Sequence, residues 1–447
     1  MIALAGPALA PAEAARRVAS VPGGFWLSSP GADEVSIARD MIGGAPEHVV
    51  RGDSVAALEA AWAEARARWR EGGLAPPPGV PVATGWLSYD LGRPWMGLPP
   101  SASAVDGTPT FAPLEFHFHD AVWVRSVGGP ATIFARDEAA GRRLLARLAE
   151  DPRASTASTA LGPLVADHDA RVYLDGARRV LEYLRAGDAY QVNLARRLST
   201  SFSGDALALA VALRASAPAP FGTFLASSDD GAFLVGNSPE RFLALDGRGA
   251  VETRPIKGTR PRLAGMREAL LAAPKDRAEH VMIVDLERND LGRVCETGSV
   301  SVEGLARVLE LPTVLHLVST VRGRLRGDVG LARLLEATFP GGSITGAPKR
   351  RAMQIIDELE PVARGPYTGA TGWLGAAGDL DLAVAIRTAL VRGGAGGRLS
   401  VSVGGGVVID STPEDEWAET EVKARAFADL CSADLCSADG GAATAPA

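Results

Sequence analysis

Apolar residues recur along this chain with two periods. "SVAALEAAWAEARARWREGG" sets apolar and charged residues at helical spacing, and its glycines and the following "APPPGVP" predict where that helix stops. "TGWLSYDLGRP" then predicts a strand and a turn. "DARVYLDGARRVLEYLRAGD" predicts a second helix ending at Gly187 and Asp188, after which Val192 and Leu194 alternate with Gln191 and Asn193 as a strand. Strands, hairpins and helices continue to Val422. Residues 150–164, "EDPRASTASTALGPL", are small and polar and predict a linker or surface loop between a region 1–150 and a region 165–427. "LCSAD" occurs twice within residues 428–447, and with "GGAATAPA" it predicts a disordered tail. Periodicity alone gives a body of mixed α and β.

Composition narrows the class. With 447 residues there is ample chain for a large core, and 47% hydrophobic with 22% charged residues is ordinary for a globular protein. The formal charge of −7 argues against a nucleic-acid partner held by net positive charge. Three cysteines, Cys295, Cys431 and Cys436, support neither a disulfide framework nor a four-cysteine zinc site, and suit a reducing compartment. The opening "MIALAGPALAPAEA" lacks a basic start and is broken by Gly6 and Pro7, unlike a signal peptide. No uncharged apolar run is long enough to cross a bilayer. The expectation is a cytoplasmic protein without membrane partners.

Four stretches look chemical. In "APKDRAEHVMIVDLERNDLGRV", Asp276 and Glu279 fall three apart on one face of a helix. In "DSTPEDEWAETEVKARAF", Thr412 is placed to cap a helix and Pro413 to begin it, so Glu416, Glu419 and Lys423 share a face. Acids in early helical turns complement the helix dipole. Two such pairs converging would also suit a hard ion that retains water, namely Mg²⁺. "FPGGSITGAPKRRAMQIIDELEP" puts a helix start after glycines, where unpaired amides favour a carboxylate or phosphate, without Walker A spacing. "VSVGGGVVIDS" interrupts apolar alternation with Gly404, Gly405 and Gly406, which predicts a bulge or a close backbone approach. Lys257 in "RPIKGTRPR" stands between Pro255-Ile256 and Gly258-Thr259 where a buried strand would end, an unusual place for a residue that is mostly solvated.

Eight motifs in order, "SPERFL", "PIKGT", "AEHVMIVDLERNDLGRV", "HLVSTVRG", "GGSITGAPKRRAMQIIDELEP", "GATGWLG", "DLAVAIRT" and "GGGVVIDSTPEDEWAETEVKA", resemble the chorismate-utilising enzymes. That family includes anthranilate synthase, aminodeoxychorismate synthase, isochorismate synthase and salicylate synthase. The resemblance runs from about residue 167 to residue 427, and "GWLSYDLGR" further upstream fits the two amidotransferase-dependent members. It implies two antiparallel sheets packed as a sandwich with flanking helices. "PIKGT", where anthranilate and isochorismate synthases have "PIAGT", implies the aminodeoxychorismate branch, with anthranilate synthesis as the alternative. Gln191 in "QVNLAR" replaces a water-activating lysine, and an amide is no general base near neutral pH, so ammonia chemistry is favoured over water.

The roles that follow by resemblance are these. Glu279 and Glu419, with Asp276 and Glu416, would hold Mg²⁺ on the ring carboxylate of chorismate. Arg387 would bind the enolpyruvyl carboxylate, assisted by the amides of Gly404, Gly405 and Gly406. Glu240 would protonate the departing 4-hydroxyl, and Lys257 would add at C2. A lysine nucleophile must be neutral, which desolvation favours and neighbouring acids oppose. His316 matches an active-site histidine. Thr259, Ser343 and Lys423 match substrate-proximal positions, and Trp373 stands where anthranilate synthases tend to have tyrosine. Ammonia would come from glutamine through a separate glutamine amidotransferase subunit, giving 4-amino-4-deoxychorismate for p-aminobenzoate and folate. "FWLSSP" aligns with a segment that binds tryptophan in relatives, although Ser29 replaces an acid often seen there.

Overall fold

Local signals set most of the helices. Ser54 accepts a hydrogen bond from the Ala57 amide (3.2 Å) to open Val55–Arg70, and Asp137 does the same from Ala140 (2.8 Å) for Glu138–Ala149. Thr412 caps the last helix, accepting from the Asp415 amide at 3.2 Å, with Pro413 in its first turn. The computed structural model describes residues 1–432 apart from 31–38, 72, 101–110, 151–158, 230 and 312–313.

The strands form two large antiparallel sheets, one of thirteen strands and one of ten. Both draw on early and late parts of the chain. Phe25–Ser29 pairs with Phe221–Ala226 in the larger sheet, and Pro81–Leu87 pairs with Ala370–Gly375 in the smaller. The sheets face each other across one core. Phe25, Leu27, Val82, Trp86 and Phe116 share that core, and the Thr223 and Thr371 hydroxyls meet across it at 3.5 Å. Strand alternation sends Trp26 and Ile42 to the opposite face of the larger sheet, where helices cover them. This is the two-sheet architecture with flanking helices that the motifs implied.

Three expectations change. The last helix runs Pro413–Ser432, past the start of the expected tail, because Phe427 and Leu430 bury against the outer face of the larger sheet. Residues 433–447 lie outside the described residues. Of the expected linker, 151–158 also lie outside them, while Ala160 and Leu161 pair with Ser203 and Phe202. The triple glycine causes no bulge: Gln191–Ser203 and Arg398–Val408 pair in unbroken register from Gln191–Val408 to Ser201–Arg398. Close approach is therefore its physical reason.

Candidate active site

Lys257 lies on the strand Ile256–Pro261, half-buried, where the register against Val314–Arg324 shifts at Gly258 (φ 65°). Glycine adopts that left-handed conformation without a side-chain clash. Lys257 Nζ donates to the Ser343 carbonyl at 3.2 Å. Across from it, a Cβ on Gly406 would stand 3.3 Å from Lys257 Nζ and 2.9 Å from Gln191 Nε2. One residue earlier, a Cβ on Gly405 would come within 2.7 Å of Glu416 Oε2. Gly406 thus leaves room for the lysine and the amide on one face of the strand, and Gly405 leaves room for a carboxylate on the other. Both polar atoms of the Gln191 amide are buried without a hydrogen bond among the described residues.

Two helices deliver the acids. Asp276 and Glu279 project from the start of Pro274–Gly292, and Glu416 and Glu419 from the start of Pro413–Ser432. Burial pushes the Glu279 carboxyl up to about 7; Glu416 and Asp276 add to the rise, and Lys257 and Lys275 oppose it. Burial likewise raises Glu416. Among the described residues no three His, Cys, Asp or Glu side chains stand close enough to share an ion. Instead Asp276 pairs with Arg260 (2.7 Å), Glu419 with Lys423 (2.6 Å) and Glu416 with Lys275 (3.5 Å). Glu416 Oε2 is buried without a partner among the described residues. An all-oxygen donor set with one unused buried oxygen fits a hard divalent cation.

Around the lysine stand the other expected residues. Glu240 is buried between two strands, its carboxyl pushed up to about 7 by burial against the opposing pull of Ser343 and Lys257. The Ser343 hydroxyl lies beside it without a hydrogen bond of good geometry. Lys423 also donates to the Gly404 carbonyl at 2.6 Å. Arg387 has φ 49°, a conformation costing a non-glycine residue about 1 kcal/mol or more. Burial lowers its pKa, and no acid is recorded against its guanidinium among the described residues. His316 is held neutral by burial, at about 3, with the Arg387 charge adding to the fall. Its Nδ1 meets the Thr259 hydroxyl at 3.1 Å and the Gly258 carbonyl at 3.3 Å, and its Nε2 is buried without a partner.

Trp373 does not join this group. Strand alternation points it with Thr371 into a separate cavity between the sheets, lined also by Ser28, Ser29, Phe221 and Asp381. Sequence reasoning also passed over groups beneath the site. Glu287 accepts from the Thr253 hydroxyl (2.8 Å), and burial pushes it up to about 8. Asp290 pairs with buried Lys349 at 2.6 Å. His280 bonds Ser319 at 2.6 Å. Their spacing with Asp276, on one inward face of the same helix, is the signal that could have found them.

A model of chorismate binding enzymes matches residues 24–429. Aminodeoxychorismate synthase component 1 from Klebsiella aerogenes is 42% identical over 354 residues, covering 77% of this chain and 76% of its own. Anthranilate synthase component 1 from Streptomyces coelicolor is 40% identical over 385 residues, covering 79% and 74%. Among solved structures, anthranilate synthase component I from Streptococcus pneumoniae superposes with a TM-score of 0.72 at 27% identity, over 92% of this chain and 93% of that one. The menaquinone-specific isochorismate synthase from Escherichia coli shares the fold, with a TM-score of 0.73 at 20% identity over 96% and 94%. A family match that spans both sheets and every motif around Lys257 means that the chain belongs to the chorismate binding enzymes and is a chorismate-utilising enzyme.

Proposed function

We propose that this enzyme is an aminodeoxychorismate synthase that converts chorismate and ammonia to 4-amino-4-deoxychorismate. The observation that carries the reading is Lys257, set between the Ser343 carbonyl and the Gly406 backbone with buried Glu240 beside it. Relatives named aminodeoxychorismate synthase support it. Glu240, whose pKa burial raises into the neutral range, gives its proton to the 4-hydroxyl, which leaves as water while the neutral Lys257 amine forms a bond to C2. Ammonia then bonds to C4, the ring double bonds shift back, and the C2–N bond to Lys257 breaks. Arg387, without an acidic partner among the described residues, holds the enolpyruvyl carboxylate. Neutral His316 orients substrate through Nε2. Asp276, Glu279, Glu416 and Glu419 would hold Mg²⁺, which supplies positive charge at the ring carboxylate.

A separate glutamine amidotransferase subunit supplies the ammonia in this reading, and the product serves p-aminobenzoate synthesis in the cytoplasm. No helix of the described residues is long and apolar enough to cross a membrane. The cavity lined by Ser28, Ser29 and Trp373 is where tryptophan would bind, and calorimetry with tryptophan tests that. The main test is incubation with chorismate, MgCl₂ and ammonium, with products resolved by mass. Aminated chorismate with its pyruvyl group intact, lost in Lys257→Ala, is the expected result. Anthranilate with free pyruvate would overturn the proposal in favour of anthranilate synthesis.

A further inference from the structure

Lys275 occupies the first turn of Pro274–Gly292, where a cation opposes the helix dipole. Its ammonium crosses to the other acid-bearing helix, donating to the Ser411 hydroxyl at 3.2 Å and lying 3.5 Å from Glu416 Oε1. Ser411 in turn donates to the same Oε1 at 2.6 Å. Glu416 is 3% exposed, yet its Oε2 has no partner and faces the gap left by Gly405. The Lys275 charge also acts on Glu279 and Glu419. Lys275 therefore bridges the two acid-bearing helices and offsets part of the cluster's charge from its exposed side.

Each of the other basic groups is also anchored on a backbone carbonyl. Lys423 is anchored on the Gly404 carbonyl as well as on Glu419, Lys257 on the Ser343 carbonyl, and Arg260 on Asp276 at the outer rim. Lys275 has the longest ion pair of the set, and its side chain is 40% exposed. It can turn to water without breaking any contact to the backbone. A metal bound through Glu416 would compete with it directly, since Mg²⁺ needs its oxygens in a tight octahedral shell.

We propose that Lys275 is an internal counter-cation which holds the acid cluster together until Mg²⁺ displaces it, and thereby weakens metal binding. The proposal rests on the reading that these four acids hold Mg²⁺. The ammonium spares the empty site the full repulsion between Glu279, Glu416 and Glu419, and the metal gains only the difference between its own attraction and the one it replaces.

The experiment is calorimetric titration of the full chain with MgCl₂ for the wild type, Lys275→Met, Lys275→Arg, Arg277→Met and Glu279→Gln. Arg277 is exposed on the same helix turn and controls for loss of a nearby charge at long range. Lys275→Met is expected to bind Mg²⁺ about tenfold more tightly than wild type, with Lys275→Arg and Arg277→Met each within about twofold. Without metal, Lys275→Met should melt below wild type, and the gap should close as MgCl₂ is added. If Lys275→Met binds no more tightly than Arg277→Met, the counter-cation role is overturned, while Mg²⁺ binding that is lost in Glu279→Gln leaves the metal site standing. If the wild type takes up no Mg²⁺ with or without chorismate, the metal reading falls and the counter-cation role with it.

Discussion

The helix Pro274–Gly292 carries acids at both ends of one inward face, and the two ends differ in how those acids are answered. At its start, Asp276 and the neighbouring Glu416 and Glu419 are paired with Arg260, Lys275 and Lys423, side chains that reach toward solvent, and one buried oxygen of Glu416 is unused. Nearer its end, Asp290 is bound to Lys349, which is itself buried and fixed on the Thr338 carbonyl at 3.0 Å, and Glu287 accepts a hydroxyl from Thr253. The residue types are the same. A carboxylate with a permanent, enclosed partner belongs to the framework, whereas one with an exchangeable partner and a spare lone pair is ready for a ligand.

That contrast can be broken by substitution. Glu279→Gln should lower kcat for chorismate by about a thousandfold or more with the melting temperature little changed. Lys349→Met should do the opposite, removing about 3–5 kcal/mol of stability by stranding Asp290 while activity per folded molecule persists. Loss of fold in the first, or loss of catalysis alone in the second, would erase the distinction. Activity and thermal melts on the two purified variants decide it.

Glu240→Gln should cost about 10²- to 10⁴-fold in kcat, the usual range for a general acid. Because burial raises Glu240 to about 7, the wild-type rate should fall as pH rises through that value, and a flat pH–rate profile would remove Glu240 from the acid role. The smallest effect concerns Glu287. Its folded pKa of about 8 lies above the ordinary 4.5, so the folded state binds more protons than the unfolded state in between. Stability is therefore lost as pH rises from about 4.5 and levels off above about 8. Glu287→Gln, which cannot ionise, should match wild type at about pH 5 and melt a few degrees higher at about pH 8.5. A difference that is the same at both values would make Glu287 an ordinary hydrogen-bonding group.

Much of the site was legible because its chemistry is local in sequence. Asp276 and Glu279 share a helix turn, Glu416, Glu419 and Lys423 share a helix face, and the three glycines announce a close approach without naming what approaches. What could not be read was the face of a strand buried on both sides. Trp373 alternates correctly within Ala370–Gly375, but only the packed sheets decide that its face meets the second cavity. Glu287 was hidden for a related reason: its helix carries no clean apolar stripe, so the inward side shows only in the spacing of its polar residues. The partner of Lys275 lies on a helix more than a hundred residues later, a pairing no local pattern encodes.

The pairing of Gln191–Ser203 with Arg398–Val408 carries a cost in time. The strand that lines the lysine pocket finds its neighbour only after some two hundred further residues have been made, and Phe25–Ser29 likewise waits for Phe221–Ala226. Order of synthesis is therefore not order of assembly. The early strands emerge from the ribosome with edges unpaired, and such distant loop closures slow folding and leave those edges open to wrong partners. Expression at low temperature or with chaperones should raise the yield of folded enzyme more than any change at the active site could.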